Sequence, residues 1–325
     1  MKRRTFGNSG LQASLVGLGC LNFGHRIDLE ASRAVIYKAL DLGITLFDTA
    51  DVYGGPGGSE TVLGQVLGDR RKDVILATKF GNVMDAARTL KGASRWYIIS
   101  AVEASLRRLK TDWIDLYQLH RPDPLTPIHE TLRALDDLVH QGKVRYVGCS
   151  NLPAWQVVEA QLIARELGTH AFVSCQDEYS LMARGIEQEL LPAIQKYGLA
   201  LLPYYPLASG LLTGKYKRDE PPPDGTRFAV WKPLAARQLS DPAVWPIVDR
   251  LKNFSAKRNH TLLELAFSWL AAKPFVLSII AGATKPEQVE QNVKAVSWTL
   301  TPEELAEVDR LSTKGPLQIA VATLN

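Results

Sequence analysis

The sequence predicts a closed barrel of eight parallel β-strands that alternate with α-helices. Eight short apolar runs are continuous rather than alternating, which is typical of parallel strands buried on both faces. The runs end near residues 19, 48, 79, 120, 150, 176, 204 and 281, and the first six intervals each fit one strand–helix unit. No GxGxxG motif follows the first run, which argues against an open dinucleotide-binding sheet.

The predicted strands and helices follow one another along the chain. The apolar runs occupy residues 14–20, 44–50, 74–80, 114–120, 144–150, 171–176, 199–206 and 276–282. Helical stretches between them carry start and stop signals. The stretch 29–43 ends at Gly43, and the stretch 127–143 has Pro127 at its start and Gly142 near its end.

The last interval is too long for one strand–helix unit. It contains a proline- and lysine-rich segment at 215–228 and two predicted helices at 241–259 and 261–273. We therefore expect a long loop or insert at about 213–260. Uniform composition without a linker predicts a single domain over residues 1–325, and we expect the C-terminal tail, 313–325, to cover the mouth of the barrel.

Composition and charge exclude several classes of protein. Apolar residues make up 46% and charged residues 22% of the 325 residues, the balance of a soluble globular protein. The net charge is only +4 and its basic clusters are scattered, so we expect no nucleic-acid partner. Neither a secretory signal nor a membrane span of about 18 apolar residues is present, which predicts a cytoplasmic protein without a membrane partner.

The chain has three cysteines, Cys20, Cys149 and Cys175. Their odd number and wide spacing indicate neither a disulfide framework nor a zinc site. We expect free buried thiols and no bound metal.

Four polar residues stand out because they lie at or just beyond strand ends. Asp48 in FDTA, Lys79 in ATKF and His120 in YQLH end the second, third and fourth runs, and Tyr53 follows in a glycine-rich loop. Each alone has an ordinary explanation as a turn, packing, exposed or strand-capping residue. Together they predict an active site, because barrels of this class hold their chemistry at the carboxyl ends of the strands.

The four side chains suit proton delivery to a carbonyl group. A phenol has a pKa of about 10, and we expect the Lys79 ammonium to lower the pKa of Tyr53. Asp48 would keep Lys79 charged, and His120 would orient the carbonyl oxygen or share the proton with Tyr53. No side chain supplies a hydride, so a nicotinamide cofactor is implied.

These segments resemble the aldo-keto reductase superfamily. FDTADVYGG, ATKF and YQLH match its tetrad-bearing segments, and YVGCSN, SCQDEYSL, YYPLASGLLTGKY and IIAGATKPEQVEQN match its cofactor-binding segments. The resemblance extends from about residue 3 to residue 312. It implies a single-domain (β/α)8 TIM barrel, NADPH bound in an extended form, and a catalytic tetrad of Asp48, Tyr53, Lys79 and His120.

The resemblance also assigns residues to the cofactor. Ser150, Asn151 and Gln176 resemble the residues that hold the nicotinamide carboxamide, and Tyr204 takes the place of the aromatic residue that stacks on the nicotinamide ring. The other residues assigned to the cofactor, including the pyrophosphate loop and the adenosine site, are Cys20, Leu21, Asp48, Tyr205, Pro206, Leu207, Ser209, Lys215, Arg227, Gly282, Thr284, Gln288, Gln291 and Asn292.

Two positions depart from the family pattern. Gln288 stands where several branches have an arginine that contacts the 2′-phosphate, and Gln291 stands where glutamate is usual. Lys285 or Arg227 are candidates to replace that arginine. We therefore expect NADP(H) to be preferred and NAD(H) to be possible, and the alternative for residues 282–292 is an ordinary helix start.

The substrate pocket is the least defined part of the sequence. Candidate lining residues, whose aromatic members are equally good core candidates, are Leu21, Asn22, Phe23, Phe80, Trp96, Arg121 and Trp231. The resulting hypothesis is an enzyme that reduces an aldehyde or ketone with Tyr53 as general acid. The alternatives are a dehydrogenase acting on an aldose, pyridoxal or another alcohol, and a redox-sensing, channel-associated subunit, against which we count the absence of an extra N-terminal segment.

Overall fold

The computed structural model describes residues 1–313, whose strands form a hairpin and a closed barrel. The hairpin pairs β1 (Arg3–Thr5) with β2 (Gln12–Ser14). The barrel strands, in chain order and all in parallel pairs, are β3 (Val16–Gly19), β4 (Leu46–Asp48), β5 (Ile75–Phe80), β6 (Ile114–Leu119), β7 (Val144–Ser150), β8 (Ser174–Glu178), β9 (Ala200–Tyr204) and β10 (Ile279–Gly282).

The predicted fold class is confirmed. Each of the eight predicted runs overlaps a barrel strand, and β10 closes the barrel against β3 through the pairing of Ile279 with Val16. The run at 171–176 shows the largest shift, since β8 starts at Ser174 and extends to Glu178. With helices between the strands, the described residues form a (β/α)8 barrel.

The N-terminal hairpin was not predicted. Its strands are short and polar, so they lack the apolar run that marked the barrel strands. The hairpin lies at the amino ends of the strands, because Arg4 donates from Nη1 to the carbonyl oxygen of Lys273 over 2.8 Å and Asn8 N–H donates to Gly198 O over 2.9 Å. Lys273 and Gly198 precede β10 and β9, respectively.

Apolar side chains from the hairpin and the strands fill this end of the barrel. Burying such surface contributes about 25 cal/mol for each Å² removed from water. The core cluster consists of Phe6, Ala13, Leu46, Ile75, Ala77, Leu116, Ala200, Leu202, Leu277 and Ile280. An apolar cluster therefore fills the amino end of the barrel.

Helices connect the strands and continue beyond them. Their bounds are α1 (Leu29–Asp41), α2 (Gly58–Val66), α3 (Arg95–Leu109), α4 (Ile128–His140), α5 (Ala154–Leu167), α6 (Leu190–Tyr197), α7 (Arg227–Val230), α8 (Lys232–Leu239), α9 (Val244–Ala256), α10 (Leu262–Ala272), α11 (Pro286–Lys294) and α12 (Pro302–Ser312). Within residues 1–313, none of these helices combines the length and apolar character needed to span a bilayer.

The predicted helix signals are found at α1 and α4. Gly43 follows α1 with φ of 76° and Gly142 follows α4 with φ of 73°, a left-handed conformation that glycine adopts without steric cost. Pro127 directly precedes α4, as predicted. Asp28 caps α1 by accepting a 2.9 Å hydrogen bond from the N–H of Ala31.

The chain divides into two compact units. The first comprises residues 1–179, 185–206 and 273–294, and it contains the barrel, α1 to α6 and α11. The second comprises residues 180–184, 207–272 and 295 onward, and it contains α7 to α10 and α12. The single-domain organisation of residues 1–325 stays a prediction.

The second unit has contacts of its own. Trp269 in α10 donates from its indole nitrogen to Asp309 in α12 over 2.9 Å, and Arg258 pairs with Glu304 at 2.8 Å. The predicted long loop at about 213–260 contains α9, as expected. It also contains the short helices α7 and α8, which were not predicted because the segment is rich in proline and charged residues. Residues 314–325 of the predicted tail lie outside the described residues.

Candidate active site

The strand ends bring the four predicted residues together. Asp48 is the last residue of β4, Lys79 lies in β5, and His120 directly follows β6. The Lys79 Nζ atom lies 5.0 Å from the centre of the Tyr53 ring, and the rings of Tyr53 and His120 meet edge to face with centres 5.7 Å apart. A phenol, an ammonium, a carboxylate and an imidazole thus share one small region at the carboxyl ends of the strands.

Lys79 is fully buried and held by three oxygen atoms. Its Nζ donates to Asp48 Oδ1 at 2.9 Å, to Asp48 Oδ2 at 2.8 Å and to the carbonyl oxygen of Thr49 at 2.7 Å. Burial by itself lowers the pKa of Lys79, but the charge of Asp48 and the neighbouring Tyr53 outweigh it, and the net pKa is raised. Lys79 is therefore a buried cation.

Asp48 is oriented by more than its ion pair. Its Oδ1 accepts a 2.7 Å hydrogen bond from Gln176 Nε2 and a 3.4 Å contact from Gln118 Nε2. Gln176, which the resemblance assigned to the nicotinamide, also supports the tetrad. Gln118 was missed, although its position two residues before His120 in β6 marks it as inward-facing like the site residues.

His120 is a neutral hydrogen-bond donor. The side-chain amide nitrogen of Asn82 lies 3.0 Å from His120 Nδ1, and since an amide nitrogen can only donate, Nδ1 accepts and the ring proton sits on Nε2. Burial, together with the charges of Lys79 and Arg121, lowers the pKa of His120 to about 2. Asn82 was missed; its signal in the sequence is a polar residue two positions past the end of β5.

The pKa of Tyr53 moves opposite to the prediction. Burial disfavours the phenolate and raises the pKa above 10.0, and this effect exceeds the lowering by Lys79. The expected influence of Lys79 is present, but the net prediction of a lowered pKa was wrong for this state of the protein. Tyr53 is half-buried and carries its proton at neutral pH, which suits a proton donor.

The predicted nicotinamide residues form a connected network in the first unit. Asn151 donates from Nδ2 to the carbonyl oxygen of His120 at 3.0 Å and to Ser150 Oγ at 2.8 Å, and its Oδ1 accepts from the Tyr204 hydroxyl at 2.7 Å. Ser150 Oγ donates to the carbonyl oxygen of Gln176 at 2.7 Å. The backbone of Asn151 is in the left-handed region, with φ of 60°, which few residues other than glycine adopt. Its side chain is held by the hydrogen bonds to His120, Ser150 and Tyr204.

The residues predicted for the rest of the cofactor in this unit follow β3, β9 and β10. Gly282 is exposed at the end of β10, and a Cβ atom there would lie 3.4 Å from Asn22 Nδ2. Asn22 is buried; its Nδ2 donates to Ala283 O at 3.2 Å, whereas its Oδ1 has no hydrogen-bond partner among the described residues. Near α11, Gln288 Oε1 accepts from the N–H of Thr284 at 2.7 Å.

The remaining residues of this group differ in exposure. Cys20 and Asn292 are buried, Leu21 is half-buried and Gln291 is exposed. Tyr205 has φ of 51° and stands perpendicular to the Tyr204 ring at 5.1 Å between centres. The buried Pro206 ends this part of the first unit.

Four predicted cofactor residues belong to the second unit: Leu207, Ser209, Lys215 and Arg227. Ser209 lies in a tight turn with φ of 60°. Lys215 Nζ lies 5.2 Å from the Tyr216 ring centre, and the Arg227 guanidinium lies 5.8 Å from the Trp231 ring centre. Their assignment to the cofactor stays a prediction.

The candidate substrate residues separate into buried and exposed groups. Phe23 and Phe80 are fully buried, and Phe80 packs on Tyr117 with ring centres 4.7 Å apart. Trp96 in α3 is 70% exposed, and Trp231 in the second unit is 49% exposed. The assignment of these residues to the substrate pocket stays a prediction.

The cysteine prediction is confirmed. Cys20, Cys149 and Cys175 are all free and buried. Cys149 and Cys175 occupy paired positions of β7 and β8, with Sγ atoms 3.5 Å apart.

Comparison with known proteins places the sequence among oxidoreductases and their relatives. The model of the aldo/keto reductase family matches residues 15–313. A protein of Oryza sativa subsp. japonica described as a probable voltage-gated potassium channel subunit beta is 37% identical over 97% of this chain and 98% of its own length. The L-glyceraldehyde 3-phosphate reductase of Escherichia coli K12 is 34% identical, covering 98% and 94%, and the versiconal hemiacetal acetate reductase of Aspergillus parasiticus is 33% identical, covering 94% and 95%.

Proposed function

Because the chain belongs to the aldo/keto reductase family, we propose that it is an NADP(H)-dependent oxidoreductase that reduces an aldehyde or ketone to an alcohol. The family and its reductase-named relatives support carbonyl reduction in general. The observation that carries the finer proposal is the grouping of Tyr53, a charged and buried Lys79, and a neutral His120 at one end of the barrel.

Tyr53 is the proposed general acid. Its hydroxyl proton passes to the carbonyl oxygen of the substrate, and the phenolate that remains is stabilised by the Lys79 ammonium. Asp48 keeps Lys79 charged and in place through two hydrogen bonds. His120 donates from Nε2 to the same carbonyl oxygen and so aligns it for proton transfer.

When bound, the reduced nicotinamide cofactor supplies the hydride that the carbonyl carbon accepts. The described residues fit such a group. Ser150 and Asn151 provide fixed polar atoms, and the half-buried ring of Tyr204 offers a stacking face. Asn22 lies beside the bare backbone of Gly282, and among residues 1–313 its Oδ1 has no hydrogen-bond partner, so it is an acceptor for a ligand donor there.

The preference for NADP(H) rests on charge near the start of α11. Lys285 is exposed one residue before that helix, where the ends of the backbone amides also favour an anion. The amide oxygen of Gln288 is engaged by Thr284, so it does not repel a phosphate. We therefore propose Lys285 as the residue that favours the 2′-phosphate.

The proton on Tyr53 suits the reductive direction, whereas the cofactor ratio and the substrate set the net direction. Because burial raises that pKa, Tyr53 is protonated at neutral pH and is prepared to act as an acid rather than as a base. In the reverse direction, oxidation of an aldose, pyridoxal or another alcohol, Tyr53 would first have to lose that proton and then act as the base.

A second candidate is a cofactor-binding redox-sensing subunit. The observation in its favour is the 37% identity to relatives described as probable voltage-gated potassium channel beta subunits in Oryza sativa subsp. japonica and Arabidopsis thaliana. Such a protein would bind the cofactor and turn over carbonyls poorly. The assembled tetrad favours the enzyme.

The test is a fluorescence titration of the purified protein with NADPH and then NADH, followed by absorbance at 340 nm with a carbonyl panel. The panel includes simple aldehydes and L-glyceraldehyde 3-phosphate, the substrate in a relative's name. We expect tighter binding of NADPH and turnover of at least one aldehyde. Binding without turnover would support the sensor candidate, and the absence of binding would refute both.

A further inference from the structure

A cluster of three side chains of metal-binding types lies outside the candidate active site. It consists of Asp136, His140 and His170, called here the α4 cluster. Asp136 and His140 are one helical turn apart at the end of α4, which leads into β7, and His170 follows α5 and precedes β8. All three therefore lie at the amino ends of the strands, opposite the carboxyl ends where Tyr53 and His120 meet.

The fold holds the cluster in place through Asp136. The backbone N–H of His170 donates to Asp136 Oδ1 at 2.9 Å, and His170 Nδ1 lies 2.7 Å from the same oxygen. His140 Nδ1 lies 3.3 Å from Asp136 Oδ2, and the two imidazole rings meet edge to face at 5.5 Å between centres. The fold itself therefore brings together Asp136 and His170, which are 34 positions apart in the sequence.

The three side chains can converge on one ion. One ligand atom from each residue lies within 4.8 Å of the others. The imidazoles are 69% and 50% exposed, so an ion can enter from solvent, whereas the carboxylate is 16% exposed and more firmly placed. Zinc–nitrogen bonds are about 2.0–2.1 Å long, so binding requires the exposed imidazoles to rotate toward the ion.

The donor set selects the kind of ion. Two imidazole nitrogens and one carboxylate oxygen are ligands for zinc, which accepts water at its fourth position. Nickel, copper and cobalt share this preference for nitrogen, whereas calcium and magnesium require mostly oxygen ligands.

We propose that Asp136, His140 and His170 bind one divalent transition-metal ion of the zinc class on the surface of the barrel. The ion ties the end of α4 to the segment that enters β8. It contributes stability rather than chemistry, because the cluster lies at the end of the barrel opposite the tetrad. Binding only to the folded state raises the free energy of unfolding in proportion to the logarithm of the zinc concentration.

The first experiment is calorimetric titration of the metal-free full-length protein with zinc chloride at pH 7.5. The variants are His140→Gln and His170→Gln, and the matched control is His129→Gln, which removes an exposed histidine of the same helix outside the cluster. We expect one equivalent of zinc for the wild type and the control, and affinity at least about tenfold weaker in each cluster variant. At pH 5.5 protonated imidazoles should weaken binding in the wild type.

A thermal melt of the same four proteins separates ligation from folding. We expect equal melting temperatures without metal, and a rise on adding zinc that occurs only in the wild type and in His129→Gln. Zinc binding that is absent in the wild type, or that survives both cluster substitutions, would overturn the proposal. In that case the cluster is only a set of surface hydrogen bonds between α4 and its neighbour.

Discussion

Two buried ion pairs lie at opposite ends of the barrel. Lys79 and Asp48 meet at 2.8 Å at the carboxyl ends of the strands, and Arg71 and Asp115 meet at 2.7 Å at the amino ends. Both pairs join neighbouring strand regions, and all four residues are less than a tenth exposed. Their chemistry as ion pairs is nearly the same, but their surroundings differ.

The Arg71 pair is surrounded by structural partners. Arg71 donates to the carbonyl oxygens of Val74 at 3.1 Å and Trp113 at 2.8 Å, and its guanidinium lies 4.6 Å from the Trp113 ring centre. Asp115 also accepts from the backbone N–H of Leu76 at 3.0 Å. These contacts join the segment before β5 to the start of β6.

The Lys79 pair is surrounded by groups that can exchange or donate protons. Tyr53 and the neutral His120 lie beside it, and both are arranged around one open end of the barrel. A buried salt bridge is therefore not by itself a sign of catalysis. Its neighbours decide whether it holds strands together or stabilises a changing charge.

Replacing Lys79 should give the largest effect. Lys79→Met removes the cation that stabilises the Tyr53 phenolate, so kcat at saturating NADPH should fall by about 10²- to 10⁴-fold. It also leaves the Asp48 carboxylate buried without its cation, which should cost about 3–5 kcal/mol of unfolding free energy. Steady-state rates, corrected for the folded fraction, and urea unfolding measure the two effects separately.

Arg71→Met is the matched control for that variant. It breaks a buried ion pair of similar length, so it should also lower the free energy of unfolding by about 3–5 kcal/mol. Its kcat per folded molecule should equal that of the wild type. Equal loss of turnover in both variants would mean that stability alone explains the Lys79 effect, and the contrast between the two ends would fail.

The free energy of unfolding should also depend on pH, because two buried carboxyl groups lie at the tetrad end of the barrel. Burial raises the pKa of Asp51, just after β4, to about 8, aided by the charge of Glu60, and burial raises the pKa of Asp177 in β8 to about 8. The folded protein then holds protons that the unfolded chain releases above pH 4. Stability should therefore fall as pH rises from about 4 to 8, by at most about 1.4 kcal/mol per pH unit for each carboxyl group.

Asp51→Asn should remove the contribution of Asp51 to this decrease of the unfolding free energy with rising pH. The variant should gain stability relative to the wild type as pH rises from 5 to 8, as measured by urea unfolding at each pH. The exposed Asp69→Asn serves as the control and should leave the slope unchanged. Parallel curves for Asp51→Asn and the wild type would show that Asp51 is ionised in the folded protein.

The smallest expected effect concerns the position of the His120 proton. Asn82→Ala removes the donor to Nδ1 and should lower kcat about tenfold, roughly 1.4 kcal/mol, with NADPH affinity unchanged. Asn82→Asp should be worse, because a carboxylate accepts a proton from Nδ1 and leaves Nε2 without one. Equal activity of the two variants would argue that Asn82 only fills space.

The sequence predicted the barrel and the tetrad because both depend on local pattern. Continuous apolar runs mark buried parallel strands, and polar residues at their ends mark the site, as Asp48 and His120 illustrate. The hairpin of β1 and β2 was not predicted, because its strands are short and polar. Arg4 holds it to the barrel through carbonyl oxygens more than 260 residues away, and no local pattern shows such contacts.

Other properties of the site depend on tertiary structure and could not be predicted. Asn82 and Gln118 are ordinary polar residues until the fold sets them beside His120 and Asp48. The net rise in the pKa of Tyr53 depends on how deeply the loop after β4 is buried, and the sequence shows only that Lys79 is available to oppose it.

The most direct test of the central claim is Tyr53→Phe, assayed for both cofactor binding and carbonyl turnover. Phenylalanine keeps the ring beside Lys79 and removes only the hydroxyl, so the Lys79–Asp48 pair should persist. We expect an unchanged dissociation constant for NADPH and a fall in kcat of about 10²- to 10⁴-fold. Turnover at the wild-type rate would contradict it, because the proton would then come from a group other than Tyr53.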